Sequence, residues 1–178
     1  MANMFLGTLA NPTPQEFLTK VIEPVLCHLT EIPYSIAASQ LLLGTAIKES
    51  QNFKYRKQMG GGPAVSYYQM EPATHNDIWY NYLKFKPKLA KQVESILTNP
   101  KANKVHELQF NDNYATAMAR VHYLRAPAAL PAFDDFKAQA RYWKQYYNTP
   151  LGKGTAKEYQ DIWDKSTGFV SLLYKSSC

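Results

Sequence analysis

Apolar residues recur along this chain at helical intervals. The stretch Thr13-Pro14-Gln15-Glu16 reads as a capping box with proline at the first helical position. Phe17, Leu18, Val21, Ile22, Val25 and Leu29 then fall on one face, and Pro24 inside that pattern predicts a kink or a split. After the reset at Ile32-Pro33-Tyr34-Ser35, a second helix is expected from about Ser35 to Glu49. Ile36, Leu43 and Ile47 share one direction, while Ala37, Ala38, Gly44 and Ala46 allow neighbours to approach closely. This helix is nearly apolar all round until Lys48 and Glu49, which predicts a central place with an acid at its polar end.

Gly60 to Pro63 cannot be regular structure. Helical spacing resumes near Pro72, with Ile78 and Tyr82 a turn apart. It recurs with Leu89, Val93 and Ile96, and again with Tyr114, Met118, Val121 and Leu124. Phe136, Ala140, Trp143 and Tyr147 form the face of a later helix. The last helix opens with a second capping box, Thr155 to Glu158, and runs through Tyr159, Ile162, Trp163, Phe169 and Leu173. No alternating strand or Asn-Gly hairpin is evident, and a short β-ribbon between Phe53 and Tyr68 is left open. The expected fold is all-α, or α with a minor β-ribbon. No repeat or linker divides the chain, so one domain is expected over residues 1–178.

Composition changes this picture in two places. The 13 Tyr, 8 Phe and 3 Trp are unusually many for 178 residues, and tyrosine suits half-wet clefts, though most of these rings are expected at core edges. The net charge of +6 admits an anionic partner: nucleic acid, membrane surface or an acidic polymer such as a cell wall. Lys and Arg are scattered along the sequence, with no run long enough for a basic arm, which argues against a nucleic-acid-binding domain. The four histidines lack ligand spacing, and no phosphate loop, nucleophile elbow or cysteine–histidine signature is present, so no metal and no cofactor are expected. Cys27 reads as a small buried residue and Cys178 as a frayed end. No window is long and apolar enough for a membrane span, and the start lacks a positively charged leader, so synthesis in a cytoplasm without a signal peptide is expected.

The chemistry centres on Glu49. A carboxyl at the C-terminal end of an apolar helix meets the negative end of the macrodipole and is partly desolvated by its neighbours, and both raise its pKa. A glutamic acid protonated near neutral pH suits acid-catalysed cleavage of a glycosidic bond. The plain alternative is a solvated helix-end acid paired with Lys48 or Arg56.

Three ordered motifs favour the chemical reading. Glu49-Ser50 is followed about twenty residues later by Ser66-Tyr67-Tyr68-Gln69-Met70-Glu71-Pro72-Ala73-Thr74, and far downstream by Tyr146-Tyr147-Asn148-Thr149-Pro150. The set resembles the soluble lytic transglycosylase branch of the lysozyme superfamily, in the style of its phage-encoded members. That branch has a catalytic Glu-Ser at a helix end, then a Gly-Leu-Met-Gln-Leu-Met-Pro-Ala-Thr-like stretch, then an Ala-Tyr-Asn-Ala-Gly-like one. Gln69, Pro72, Ala73, Thr74, Tyr147 and Asn148 match, whereas Ser66 stands where glycine is usual and Thr149-Pro150 replace Ala-Gly.

The resemblance implies a single lysozyme-like domain that cleaves the MurNAc–GlcNAc β-1,4 bond of peptidoglycan glycan strands. Glu49 would protonate the leaving oxygen and then take the proton of the sugar 6-hydroxyl. Ser50 would cap the helix end or bond the substrate. Ser66, Tyr68, Gln69 and Met70 would line one subsite, with His75 near the cleft. Tyr147 would bond Glu49, unless it is only a core ring, and Asn148 would hold the adjoining loop. The absence of acids between Ser50 and Met70 favours a transglycosylase, which needs one carboxyl, over a hydrolase, which needs two. Glu71 and Asp77 remain candidate second acids. The expected setting is a phage endolysin or a virion-associated enzyme acting on the wall in the periplasm, reached by a holin-type route or carried with virion proteins. An inactive virion structural or assembly protein that keeps the fold is the alternative.

Overall fold

The computed structural model describes residues 7–165 and Cys178; Phe169 and Leu173 of the last expected helix lie outside the described residues. Helix dominates. The chain opens with α1 (Pro14–Phe17), a π-turn over Leu18–Ile22, and α2 (Glu23–His28). Both capping-box bonds of α1 are present: the Glu16 amide donates to Thr13 Oγ1 at 3.1 Å and the Thr13 amide to Glu16 Oε2 at 2.9 Å. The π-turn ends just before Pro24, which has no N–H to give and whose ring would clash with a carbonyl one turn back in a regular helix.

The central helix α3 (Ile36–Glu49) is capped by Ser35, whose hydroxyl accepts from the Ala38 amide, and every residue from Ala38 to Ile47 is buried. Its buried polar groups are partnered. Gln40 bonds Asp134 and Gln139, and Thr45 bonds the Leu41 carbonyl and the Tyr123 hydroxyl. Around it lie α4 (Pro72–Asn81), α5 (Pro87–Glu94), α6 (Lys104–Phe110), α7 (Asp112–Leu124), α8 (Phe136–Trp143) with a π-turn over Lys144–Asn148, and α9 (Ala156–Asp164). A continuous apolar core joins residues from Phe17 to Trp163. Helix α6 has no counterpart in the sequence pattern, because Val105 and Leu108 are too few apolar positions to set a period.

Two differences concern the rest of the chain. The open β-ribbon reduces to isolated antiparallel bridges, Lys57 to Val65 and Val65 to Met70, which close a tight turn over Ser66–Gln69. Cys27 and Cys178 are not an inert thiol and a frayed end. They form a disulfide with Cα atoms 5.3 Å apart, across a sequence separation of 151 residues. Closing so long a loop restricts the denatured chain and is worth about 2–5 kcal/mol.

Candidate active site

Glu49 is the last residue of α3, and Ser50 organises the chain reversal after it. The Ser50 hydroxyl donates to the Ala46 carbonyl and accepts from the Phe53 amide, both at 2.6 Å, and its carbonyl accepts the amides of Lys54 and Tyr55. Gln51, Asn52 and Phe53 follow in the left-handed region, with φ of 53°, 60° and 62°. Such conformations are costly in series and persist only where their surroundings hold them. Here Phe53 is held by its packing against Phe17 and Tyr67. Ser50 is fully buried, so of its two expected roles it performs the helix-end one.

The Glu49 carboxyl is not the solvated, cation-paired acid of the plain alternative. Lys48 lies 3.7 Å from Glu158, and Arg56 pairs with Asp112 at 2.6 Å. Glu49 instead accepts a hydrogen bond from the indole N–H of Trp143 to Oε1 at 3.0 Å. Burial raises its pKa to about 7, against the smaller opposing effects of the Trp143 bond and the Lys48 charge. With Oε1 held by the indole, Oε2 is the oxygen left to carry the proton.

Trp143 is itself fixed from α3 and α9. It is fully buried and stacks on Tyr159 with ring centroids 5.4 Å apart. Tyr159 donates to the Leu41 carbonyl at 3.1 Å, and it reaches α3 because Gly44 has no side chain; a Cβ there would collide with the Tyr159 hydroxyl. The small residue at position 44 thus sets the depth of the ring that supports the Glu49 partner.

A cleft of about 750 Å³ opens at Glu49. Gln69, Met70, Tyr147 and Asn148 line it with Glu49, so residues of all three sequence motifs meet there. Four expected site residues do not line it. Ser50 and Ser66 are buried in turns; Ser66 takes φ of 67°, the conformation for which glycine is the easy choice, and its hydroxyl accepts from the Tyr68 amide. The Tyr68 side chain points into the core, where Thr116 bonds its hydroxyl. His75 is buried against Tyr114 and faces a different cavity. The Gln69 side chain is held by its own turn, donating to the Ser66 carbonyl at 2.8 Å. Asn148 accepts from Lys144, which also donates to the Gly152 carbonyl, and so ties down the loop after the π-turn. In that loop Thr149, with φ of 67° and ψ of 156°, holds a backbone conformation normally left to glycine, at the cleft wall.

Tyr147 departs from its expected role. Its hydroxyl donates to the Tyr68 carbonyl at 2.8 Å, so its single proton is not directed to Glu49. The bond ties the Lys144–Asn148 turn to the turn that carries Gln69. Tyr147→Phe is therefore expected to cost about 1–3 kcal/mol of stability, the penalty for leaving a buried carbonyl unpaired. Thermal denaturation checks this; an unchanged melting temperature would show that the bond does not hold the two turns together.

Two residues were missed by sequence reasoning. Trp143 carried an apolar-face signal that hid its N–H. His122, one of the histidines without ligand spacing, lines the cleft edge-on to Tyr147 with centroids 5.1 Å apart. Burial, and then the Arg125 charge, lower its pKa to about 4, so it is neutral at working pH. Among candidate second acids, Glu71 lines the cleft and is exposed, whereas Asp77 pairs with Arg125 at 2.6 Å and does not line it. Among the described residues, no group of three or more His, Cys, Asp or Glu is arranged to hold a metal, and no helix is long and apolar enough to cross a membrane. Comparison of the chain with protein-family models, curated proteins and solved structures finds no match.

Proposed function

We propose that the chain is a wall-degrading glycosidase of lysozyme-like fold, a peptidoglycan lytic transglycosylase of the phage type with Glu49 as its single acid/base. The observation that carries this reading is the state of Glu49: a half-buried carboxyl in no ion pair among the described residues, held near a pKa of 7, at a cleft it shares with Gln69, Tyr147 and Asn148. Protonated Glu49 gives its Oε2 proton to the glycosidic oxygen as the C1–O bond of MurNAc breaks. The resulting carboxylate takes the proton of the same sugar's 6-hydroxyl as that oxygen closes on C1. The product ends in a 1,6-anhydro ring, no water is consumed, and the acid is regenerated.

A hydrolytic reading has one observation in its favour, the exposed Glu71 carboxylate in the same cleft. There Glu71 would activate a water and the product would carry a reducing end. Mass spectrometry of purified peptidoglycan after incubation separates the readings. Anhydro-ended muropeptides support the transglycosylase and reducing ends the hydrolase. An absence of products supports an inactive virion component with the same fold. The expected place of action is the wall, at lysis or from the virion, and a disulfide-bonded chain suits an oxidising compartment of that kind.

A further inference from the structure

A second cavity, of about 850 Å³, lies between α4, α5 and the start of α6, and it shares no lining residue with the Glu49 cleft. Its wall is a built polar network. The indole N–H of Trp79 donates to the Tyr114 hydroxyl at 2.9 Å. The Tyr114 hydroxyl is also hydrogen-bonded to His75 Nε2 at 2.8 Å, and His75 Nδ1 to Asn76 Oδ1 at 3.0 Å. Tyr114 and His75 are buried, which pins the half-buried Trp79 ring in place. Tyr80 beside it is 71% exposed.

The segment that supplies much of this cavity's wall is rich in lysine. Residues 83–104 contain six lysines and one acid, an excess of five against the chain's net +6. Lys84, Lys91 and Lys104 line the cavity itself, with Glu94 the one carboxylate among its described lining residues. Lys104 lies 3.5 Å from Glu94 and 5.0 Å from the centre of the Trp79 ring. Among the described residues, no arginine lines it.

We propose that this cavity is an accessory binding site for an anionic carbohydrate polymer, which holds the protein on its substrate while the Glu49 cleft works elsewhere on the strand. A pinned indole beside an exposed tyrosine offers flat apolar surface to sugar rings, and lysines are point charges for carboxylate or phosphate groups. Sites for single-stranded nucleic acid set aromatic platforms in series with arginine stacking; one held indole without arginine fits a glycan better. The choice of polymer rests on the wall-degrading reading of the cleft, whereas the binding test does not require cleavage.

The test is calorimetric titration of the Glu49→Gln protein with a hyaluronan octasaccharide as carboxylate-bearing probe, neutral chitohexaose, and an eight-residue oligothymidylate. Hyaluronan should bind. Lys84→Glu/Lys91→Glu should weaken that binding at least tenfold and Tyr80→Ala severalfold, whereas Lys20→Glu/Lys137→Glu, of equal net charge, should leave it within twofold. Chitohexaose affinity should not respond to any of these. In the Glu49 protein, the Lys84→Glu/Lys91→Glu change should slow clearing of whole walls and spare cleavage of a short soluble MurNAc-containing glycan. Hyaluronan affinity indifferent to the cavity substitutions would overturn the proposal, as would oligothymidylate binding tighter than hyaluronan and lost with the same lysines. A protein that cleaves no wall but binds hyaluronan through Lys84 and Lys91 would defeat the reading of the cleft and uphold the cavity.

Discussion

Glu49→Gln should lower turnover on wall glycan by about 10²–10⁴-fold, the usual worth of general acid–base catalysis. The substitution keeps the side-chain shape and its acceptor for the Trp143 N–H, so the folded structure should persist. It should also change how stability depends on pH. The folded pKa of Glu49 is raised from 4.5 to about 7, so between those values the native state binds more protons than the unfolded chain. The stabilisation by the bound proton is fully present below the unfolded value and is lost as pH rises through the folded one. Glutamine removes that dependence. Relative to the unmutated protein, the variant should therefore gain stability from pH 4.5 to above pH 7, by on the order of 3 kcal/mol. Urea denaturation at pH 5 and pH 8 measures the difference, and a gap independent of pH would place the acid in ordinary solvent.

Asp112→Ala should be the most destabilising single change near the cleft, by about 3–5 kcal/mol. The carboxylate is buried and accepts three bonds: two from the Arg56 guanidinium at 2.6 and 2.9 Å, and one from the Leu9 amide at 2.7 Å. Arg56 also donates to the Leu9 carbonyl and covers the Tyr67 ring at 3.9 Å, while the Tyr67 hydroxyl bonds the same carbonyl. This network fastens the acid-free segment after Glu49 to α7. Without Asp112 a largely buried guanidinium loses its counter-charge, and the turn that presents Gln69 loses an anchor. The paired change Arg56→Met with Asp112→Leu should recover much of the loss, because the charge that needs compensation is gone. A loss below about 1 kcal/mol for Asp112→Ala would show that the pair behaves as a surface ion pair.

The elements that sequence patterning reads well are those fixed by local chemistry. The capping boxes at Thr13 and Thr155 form as spaced, and the apolar run before Glu49 becomes the buried central helix. Side-chain direction in the turns is another matter. Ser66 and Gln69 both adopt positive φ, which turns Ser66 and Tyr68 inward and leaves Gln69 and Met70 at the cleft; no periodicity carries that information. The roles of Trp143 and Tyr147 exchange for a related reason. They are four residues apart, and an uninterrupted α-helix would set them on one face. The π-turn over Lys144–Asn148 adds a residue to the turn and rotates Tyr147 away from that register. Trp143 reaches Glu49, and Tyr147 reaches the Tyr68 carbonyl. Lys84, Lys91 and Lys104 illustrate the same limit, since only folding brings the three to one cavity wall.

The central claim is that Glu49 holds its proton near neutral pH in an otherwise stable fold. A carbon-13 NMR titration of the glutamate side-chain carboxyls, with Glu49 assigned by its absence in the Glu49→Gln protein, reads that directly. One resonance should titrate near pH 7 and vanish in the variant. A Glu49 resonance that titrates near its ordinary value of 4.5 would contradict the claim and remove the acid on which the proposed cleavage depends.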